Sequence, residues 1–232
     1  MKRLGLLLCG HVHPDALDIG GDYPALFGGL FVSHHVEIVP YAVEDGRLPE
    51  SVDECDGWIT SPSRASVLDT HPWVADLSAF VVEAVTRERP FIGICFGHQL
   101  IAQLFGGRVE RAGVGWGVGV KDYEIVERRP WMMPPARSIA LVASHEDQVM
   151  EMPPGATLLA RSPYCPIAAF ELGSRCVTLQ PHIEFTPAIS RRLTELRREL
   201  IGGETADRAL ASLDRETDRD LVAHWFSQFL GA

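Results

Sequence analysis

The residues of this sequence best placed to do chemistry lie in Phe91-Ile92-Gly93-Ile94-Cys95-Phe96-Gly97-His98-Gln99, where an apolar run meets Gly-x-Cys-x-Gly and a helical stretch follows. That is a nucleophile elbow with a thiol in place of a hydroxyl. The flanking glycines permit a sharp strand-to-helix turn, which projects the Cys95 side chain above the carboxyl end of the strand. The helix turns its amino terminus on the sulfur and favours thiolate. The Phe96 N–H points where an oxyanion would form. Taken alone, such a cysteine is equally well a small buried residue in a tight turn. A thiolate nucleophile needs a base and an orienting acceptor, and Pro181-His182-Ile183-Glu184 offers both. Residues two apart in an extended segment share a face. Glu184 is therefore placed to hold one tautomer of His182 and to support its charged form.

The elements that must position these groups follow from the apolar pattern. Residues 4–9, 36–43, 57–60 and 91–94 read as strands, and the last runs directly into the elbow. Between the third and fourth, Val74, Leu77, Val81, Ala84 and Val85 recur at helical spacing within 73–88, with Pro72 suited to the first turn. A second helix is expected over 98–105, stopped by Gly106-Gly107. Further strands are expected at 123–126, 139–142, 157–160, 167–171 and 176–179. Helices are expected at 187–201 and 218–230, with a polar, glycine-containing stretch between them. Alternation of this kind predicts an α/β fold, a mostly parallel sheet with helices on both faces. No repeat, low-complexity tract or linker divides the chain, so one domain over 1–232 is expected.

With both motifs in view, the sequence resembles the class I (triad) glutamine amidotransferases, and among them the free-standing GMP-synthase-like members, whose fold is flavodoxin-like. Four further segments carry the resemblance: Asp56-Gly57-Trp58-Ile59, Gly106-Gly107-Arg108-Val109, the Gly/Trp loop over 113–119, and Ser144-His145-Glu146-Asp147-Gln148-Val149. The resemblance implies Cys95 as nucleophile, His182 as base and acid, and Glu184 as orienter. It also implies that Gln99, one helical turn past Cys95, holds polar groups of glutamine. Ser144, His145, Glu146 and Asp147 would contact the amino-acid end of the substrate, largely through backbone. The family's second oxyanion donor lies in a glycine-rich turn after the third strand. Here that turn reads Thr60-Ser61-Pro62-Ser63-Arg64. Proline lacks an N–H, so the donor role passes to the Ser63 N–H beside that of Phe96, in a hole formed before substrate arrives. The family's His-Pro-Glu is His182-Ile183-Glu184 in this chain, with both functional side chains kept.

The implied reaction is hydrolysis of the glutamine side-chain amide through a glutamyl thioester, with no cofactor. Two alternatives share the fold: a free-standing γ-glutamyl peptidase, and a weakly catalytic binding or regulatory protein. The roughly 45 residues after His-x-Glu are too few for an ATP-using synthetase domain, so any ammonia acceptor is expected on a partner synthase subunit. Composition narrows the classes from another side. Asp plus Glu is 31 against 21 Lys plus Arg in 232 residues, a net charge of −10, which disfavours a nucleic-acid partner. No apolar run approaches the roughly 18–20 residues of a membrane span. Met1-Lys2-Arg3 and the apolar run behind it lack a small-residue cleavage site, so that run reads as a buried first strand. The five cysteines form no CxxC pairing, as expected of reduced thiols in a cytoplasm.

The remaining motifs weigh less. His11-x-His13 with Asp15 and Asp18 lacks a third-ligand spacing, and no metal is expected there. Residues 113–119 do not follow a first strand as a dinucleotide loop should and are expected as a loop near the site. Arg191, Arg192, Arg197 and Arg198 alternate with Glu195 and Glu199, the pattern of a solvated helix face. Trp225, Phe226 and Phe229 are expected in the core.

Overall fold

A computed structural model describes residues 1–231. The strands are β1 (Lys2–Leu7), β2 (Val36–Tyr41), β3 (Gly57–Thr60), β4 (Phe91–Ile94), β5 (Arg108–Arg111), β6 (Gly117–Ile125), β7 (Ser138–His145), β8 (Asp147–Glu151), β9 (Ala156–Arg161), β10 (Ala169–Leu172) and β11 (Cys176–Leu179). The helices are α1 (Leu17–Gly20), α2 (Tyr23–Phe31), α3 (Pro72–Thr86), α4 (Phe96–Leu104), α5 (Pro187–Leu196), α6 (Arg198–Ile201), α7 (Gly203–Ser212) and α8 (Arg219–Leu230).

Nine strands form one sheet in the order β2-β1-β3-β4-β11-β10-β9-β6-β7, and β5 pairs with β8 in a separate ribbon. From β2 to β11 every pairing is parallel. Beyond β11 the sheet is extended by antiparallel strands. The fold is the α/β, mostly parallel type that the alternating pattern predicts. Side chains alternate across a strand, and the two cores show it. Leu4 and Leu6 of β1, Ile59 of β3 and Ile92 and Ile94 of β4 pack with α2, α5 and α8, including Trp225, Phe226 and Phe229. Leu7, Trp58 and Phe91 point to the other face and pack with α3 and α4. The strands around the elbow are thus buried on both faces, which is why they read as continuous apolar runs.

Three expectations are corrected. The glycine-rich segment is a loop only at its start, because Gly117 and Gly119 belong to β6. A Cβ at Gly117 would lie 2.2 Å from the Tyr164 ring, and one at Gly119 2.3 Å from Ser212 Oγ, so these glycines serve close packing within the strand. The polar stretch after residue 201 is helix α7, whose Ala206 and Ala209 are buried. The expected helix over 187–201 breaks at Arg197, whose φ of −101° and ψ of 12° separate α5 from α6.

Candidate active site

Cys95 stands between β4 and α4 at φ 48° and ψ −95°. A non-glycine residue there carries backbone strain, which persists only where the surroundings enforce it. They do so from both sides. The Cys95 N–H donates to the Leu179 carbonyl of β11 at 2.8 Å, and the Ile94 N–H donates to Thr60 Oγ1 of β3 at 3.0 Å. Gly97 packs directly on that threonine: a Cβ there would lie 2.0 Å from Thr60 Oγ1. Phe96 is the first residue of α4, so its N–H has no partner within the helix.

The chain leaves β11 and crosses to β7, where the His182 N–H donates to the Val142 carbonyl at 2.8 Å. That crossing seats His182 and Glu184 in the interior, 2% and 0% exposed. Nδ1 of His182 lies 2.6 Å from Glu184 Oε1, while Nε2 is buried without a hydrogen-bond partner. The Phe185 ring stacks on the imidazole with centroids 4.4 Å apart and planes at 12°. Burial works against a charged imidazole, but the nearby charges of Glu184 and Cys95 outweigh it and push the His182 pKa up to about 10. The pair is therefore built to hold an imidazolium next to the thiol. Burial disfavours the thiolate at the other cysteines: it pushes Cys165 up to about 12, Cys9 and Cys176 higher still, and Cys55 upward. All five are free thiols.

A cleft of about 470 Å³ opens beside Cys95, lined among others by Ser63, Phe96, Gln99, Ser144, His145, Glu146 and Asp147. The structure thus brings the residues expected from the sequence to one cleft, except His182 and Glu184, which are buried and do not line it, although Cys95 is near enough to act on the imidazole. Gln99 is tied down within the wall, its Nε2 donating to the Asp147 carbonyl at 2.8 Å and to Gln180 Oε1 at 3.1 Å. Asp147 accepts from Ser66 Oγ at 2.5 Å, and Arg111 lies 3.3 Å from Glu146 and 3.6 Å from Asp147. Burial lowers the pKa of His145 to about 3, so its ring is neutral. In the turn after β3, Ser61 Oγ donates to the Pro62 carbonyl at 2.9 Å and accepts from the Cys9 N–H at 2.9 Å. That carbonyl lies on the Gly10 side of the turn. A trans peptide holds N–H and C=O antiparallel, so the Ser63 N–H faces away from Gly10.

Two site residues escape the sequence reading. Gln180 Nε2 donates to Cys95 Sγ at 3.6 Å. Its spacing of two from His182, and of four from Glu184, is the signal that places it on the same face. Arg197, expected on a solvated helix face, instead lines the cleft and donates to Ser144 Oγ at 3.3 Å. The break between α5 and α6 turns it inward. Arg191, Arg192 and Arg198 do face solvent, paired with Asp214, Asp18 and Asp207. Of the amino-terminal histidines, His11 pairs with Asp22 at 2.5 Å and His13 lines the cleft.

A strained elbow cysteine beside a buried His–Glu pair, at the carboxyl edge of a parallel sheet, marks an α/β protein organised around a thiol and an imidazole. The family model for class I glutamine amidotransferases matches residues 29–195, and the chain belongs to that family of enzymes. It is 28% identical over 221 residues to γ-glutamyl peptidase 3 of Arabidopsis thaliana, covering 90% of this chain and 89% of that protein. It is 33% identical over 178 residues to a subunit of the glutamine-hydrolysing GMP synthase of Methanopyrus kandleri, covering 71% of this chain and 86% of that protein. The crystal structure of a glutamine amidotransferase from Thermotoga maritima superposes with a TM-score of 0.80 at 20% identity, covering 100% of both chains. No helix among the described residues is long and apolar enough to cross a membrane.

Proposed function

We propose that this chain hydrolyses γ-glutamyl amide bonds, of which the side-chain amide of glutamine is the simplest. The observation that carries the reading is the buried His182–Glu184 pair, on whose imidazole Cys95 acts from the lining of an open cleft. The Cys95 thiolate attacks the δ-carbonyl carbon. Its charge is stabilised by the imidazolium and by the amide of Gln180. The oxyanion accepts hydrogen bonds from the N–H of Phe96 and of Ser63, which line the cleft with Cys95. The turn that fixes the Pro62 carbonyl through Ser61 leaves the Ser63 N–H without a backbone acceptor among the described residues, as a pre-formed hole needs.

His182 gives its proton to the departing amine, and a γ-glutamyl thioester remains on Cys95. Neutral His182 then takes a proton from water, hydroxide displaces the thiolate, and glutamate leaves. Glu184 keeps Nε2 directed at the reacting atoms throughout. Where glutamine itself is the preferred substrate, the released ammonia implies a synthase partner, a reading favoured by the name of the Methanopyrus relative as one part of a synthase. A screen for ammonia and amine release across glutamine and γ-glutamyl dipeptides tests the proposal. Turnover that disappears in Cys95→Ala is the expected result, and turnover unchanged by that substitution refutes it.

A further inference from the structure

The cleft around Cys95 is lined by charges that are unequally matched. Asp69, Glu146 and Asp147 line it, and Arg111 is already matched to Glu146 and Asp147. Arg64 and Arg197 line it too, with Leu196 and Leu200. Arg197 is half-buried, and the partner of its guanidinium is the neutral Ser144 hydroxyl. The neighbouring arginines 191, 192 and 198 each hold a carboxylate, whereas among the described residues neither Arg64 nor Arg197 does. A guanidinium presents five N–H donors in a planar fork suited to a carboxylate. Leaving one partly desolvated and unmatched costs free energy unless a ligand completes it.

The position of Arg197 says which part of a substrate it meets. Its guanidinium donates to Ser144 Oγ, two residues along β7 from Val142, whose carbonyl accepts from the His182 N–H. Arg197 therefore lies on the imidazole side of the thiol. A leaving amine must take its proton from His182, so whatever is bonded to that amine projects to the side on which Arg197 stands. The cleft has room for it. Glutamine has about ten heavy atoms, which at the loose packing of water, about 30 Å³ each, fill about 300 Å³, less than the cleft volume of about 470 Å³.

We propose that Arg197, supported by Arg64, binds a carboxylate on the leaving group, so that the site takes γ-glutamyl peptides whose departing amino acid carries a free carboxylate. This rests on the γ-glutamyl amide hydrolase reading and assigns its leaving-group subsite. The test uses γ-glutamylglycine and its amide, γ-glutamylglycinamide, which differ only in that carboxylate. Calorimetric titration of the Cys95→Ser protein should show the peptide bound about 10–100-fold more tightly than the amide, the range expected for hydrogen bonds to a charged group. Adding Arg197→Gln should bring that ratio close to one, and Arg197→Lys should restore part of it. In the chain with Cys95 intact, the same preference should appear in KM with little change in kcat. Equal binding of the two ligands, or an Arg197→Gln effect that weakens both alike, overturns the subsite. A calorimetric preference that persists while no γ-glutamyl compound is hydrolysed supports the carboxylate site and refutes the hydrolase reading instead.

Discussion

Replacing Gly97 by alanine should damage the elbow by an amount the structure allows to be worked out. A Cβ at this position would lie 2.0 Å from Thr60 Oγ1 and 2.9 Å from Thr60 Cβ. Thr60 is fully buried, so it has no room to withdraw, and either α4 or β3 must shift. Forcing extra volume into a packed core costs about 1–3 kcal/mol. Displacing Thr60 also strips the Ile94 N–H of its acceptor, and a buried donor left unmade costs about 1–3 kcal/mol more. The sum, about 2–6 kcal/mol, is a large part of the 5–15 kcal/mol typical of a folded chain. At a urea dependence of about 3 kcal/mol per molar it moves the unfolding midpoint down by about 0.7–2 M. Gly29→Ala is the opposite case. It lies exposed in α2 with nothing within 4 Å of the new Cβ, and it should stabilise by about 0.5–1 kcal/mol through helix propensity. Urea unfolding of the two variants should therefore move in opposite directions. A Gly97→Ala protein with the wild-type midpoint and full activity would refute the claim that close contact with Thr60 holds the elbow.

In the proposed reaction His182 is both base and acid, so His182→Ala should lower kcat by about 10²–10⁴-fold, whereas Glu184→Gln, which leaves the imidazole in place, should cost less; steady-state rates check the order, and a larger loss in Glu184→Gln contradicts it. The His182 pKa, raised from 6.5 to about 10 by the charges around it, contributes stability that is complete below about pH 6.5 and is lost as pH rises through 10. Denaturant unfolding across that window should show the wild-type advantage over His182→Ala shrinking with pH, and an advantage that grows would contradict the assignment. Pro62→Gly should not raise activity, because the Pro62 carbonyl is already held by Ser61; a faster variant would show that the turn is locked away from the oxyanion.

What is legible in the sequence is local in the chain. The elbow is one strand, one turn and one helix in succession, so residues 91–99 carry it complete, and the His182–Glu184 pair follows from the alternation of an extended segment. The parallel strands β1, β3 and β4 are readable because burial on both faces makes each a largely continuous apolar run. The misses depend on partners distant in sequence. Gly117 and Gly119 are strand glycines because Tyr164 and Ser212 press on them, contacts across 47 and 93 positions that no local pattern records. Helix α7 buries only the small Ala206 and Ala209 against β6 and α5, too little apolar surface to show as a hydrophobic stripe. Extending one helical period through residues 187–201 puts Arg197 on the outer face. A single non-helical residue ends that period, and the arginine turns into the cleft.

In the proposed reaction Cys95 carries a γ-glutamyl thioester. The most direct measurement is acid quenching of the protein during turnover of a γ-glutamyl substrate, followed by mass spectrometry of the digested chain. One γ-glutamyl group should be found on the peptide that contains Cys95 and be absent from the Cys95→Ala protein. Turnover without any adduct, or an adduct on Cys9, Cys55, Cys165 or Cys176, would contradict it.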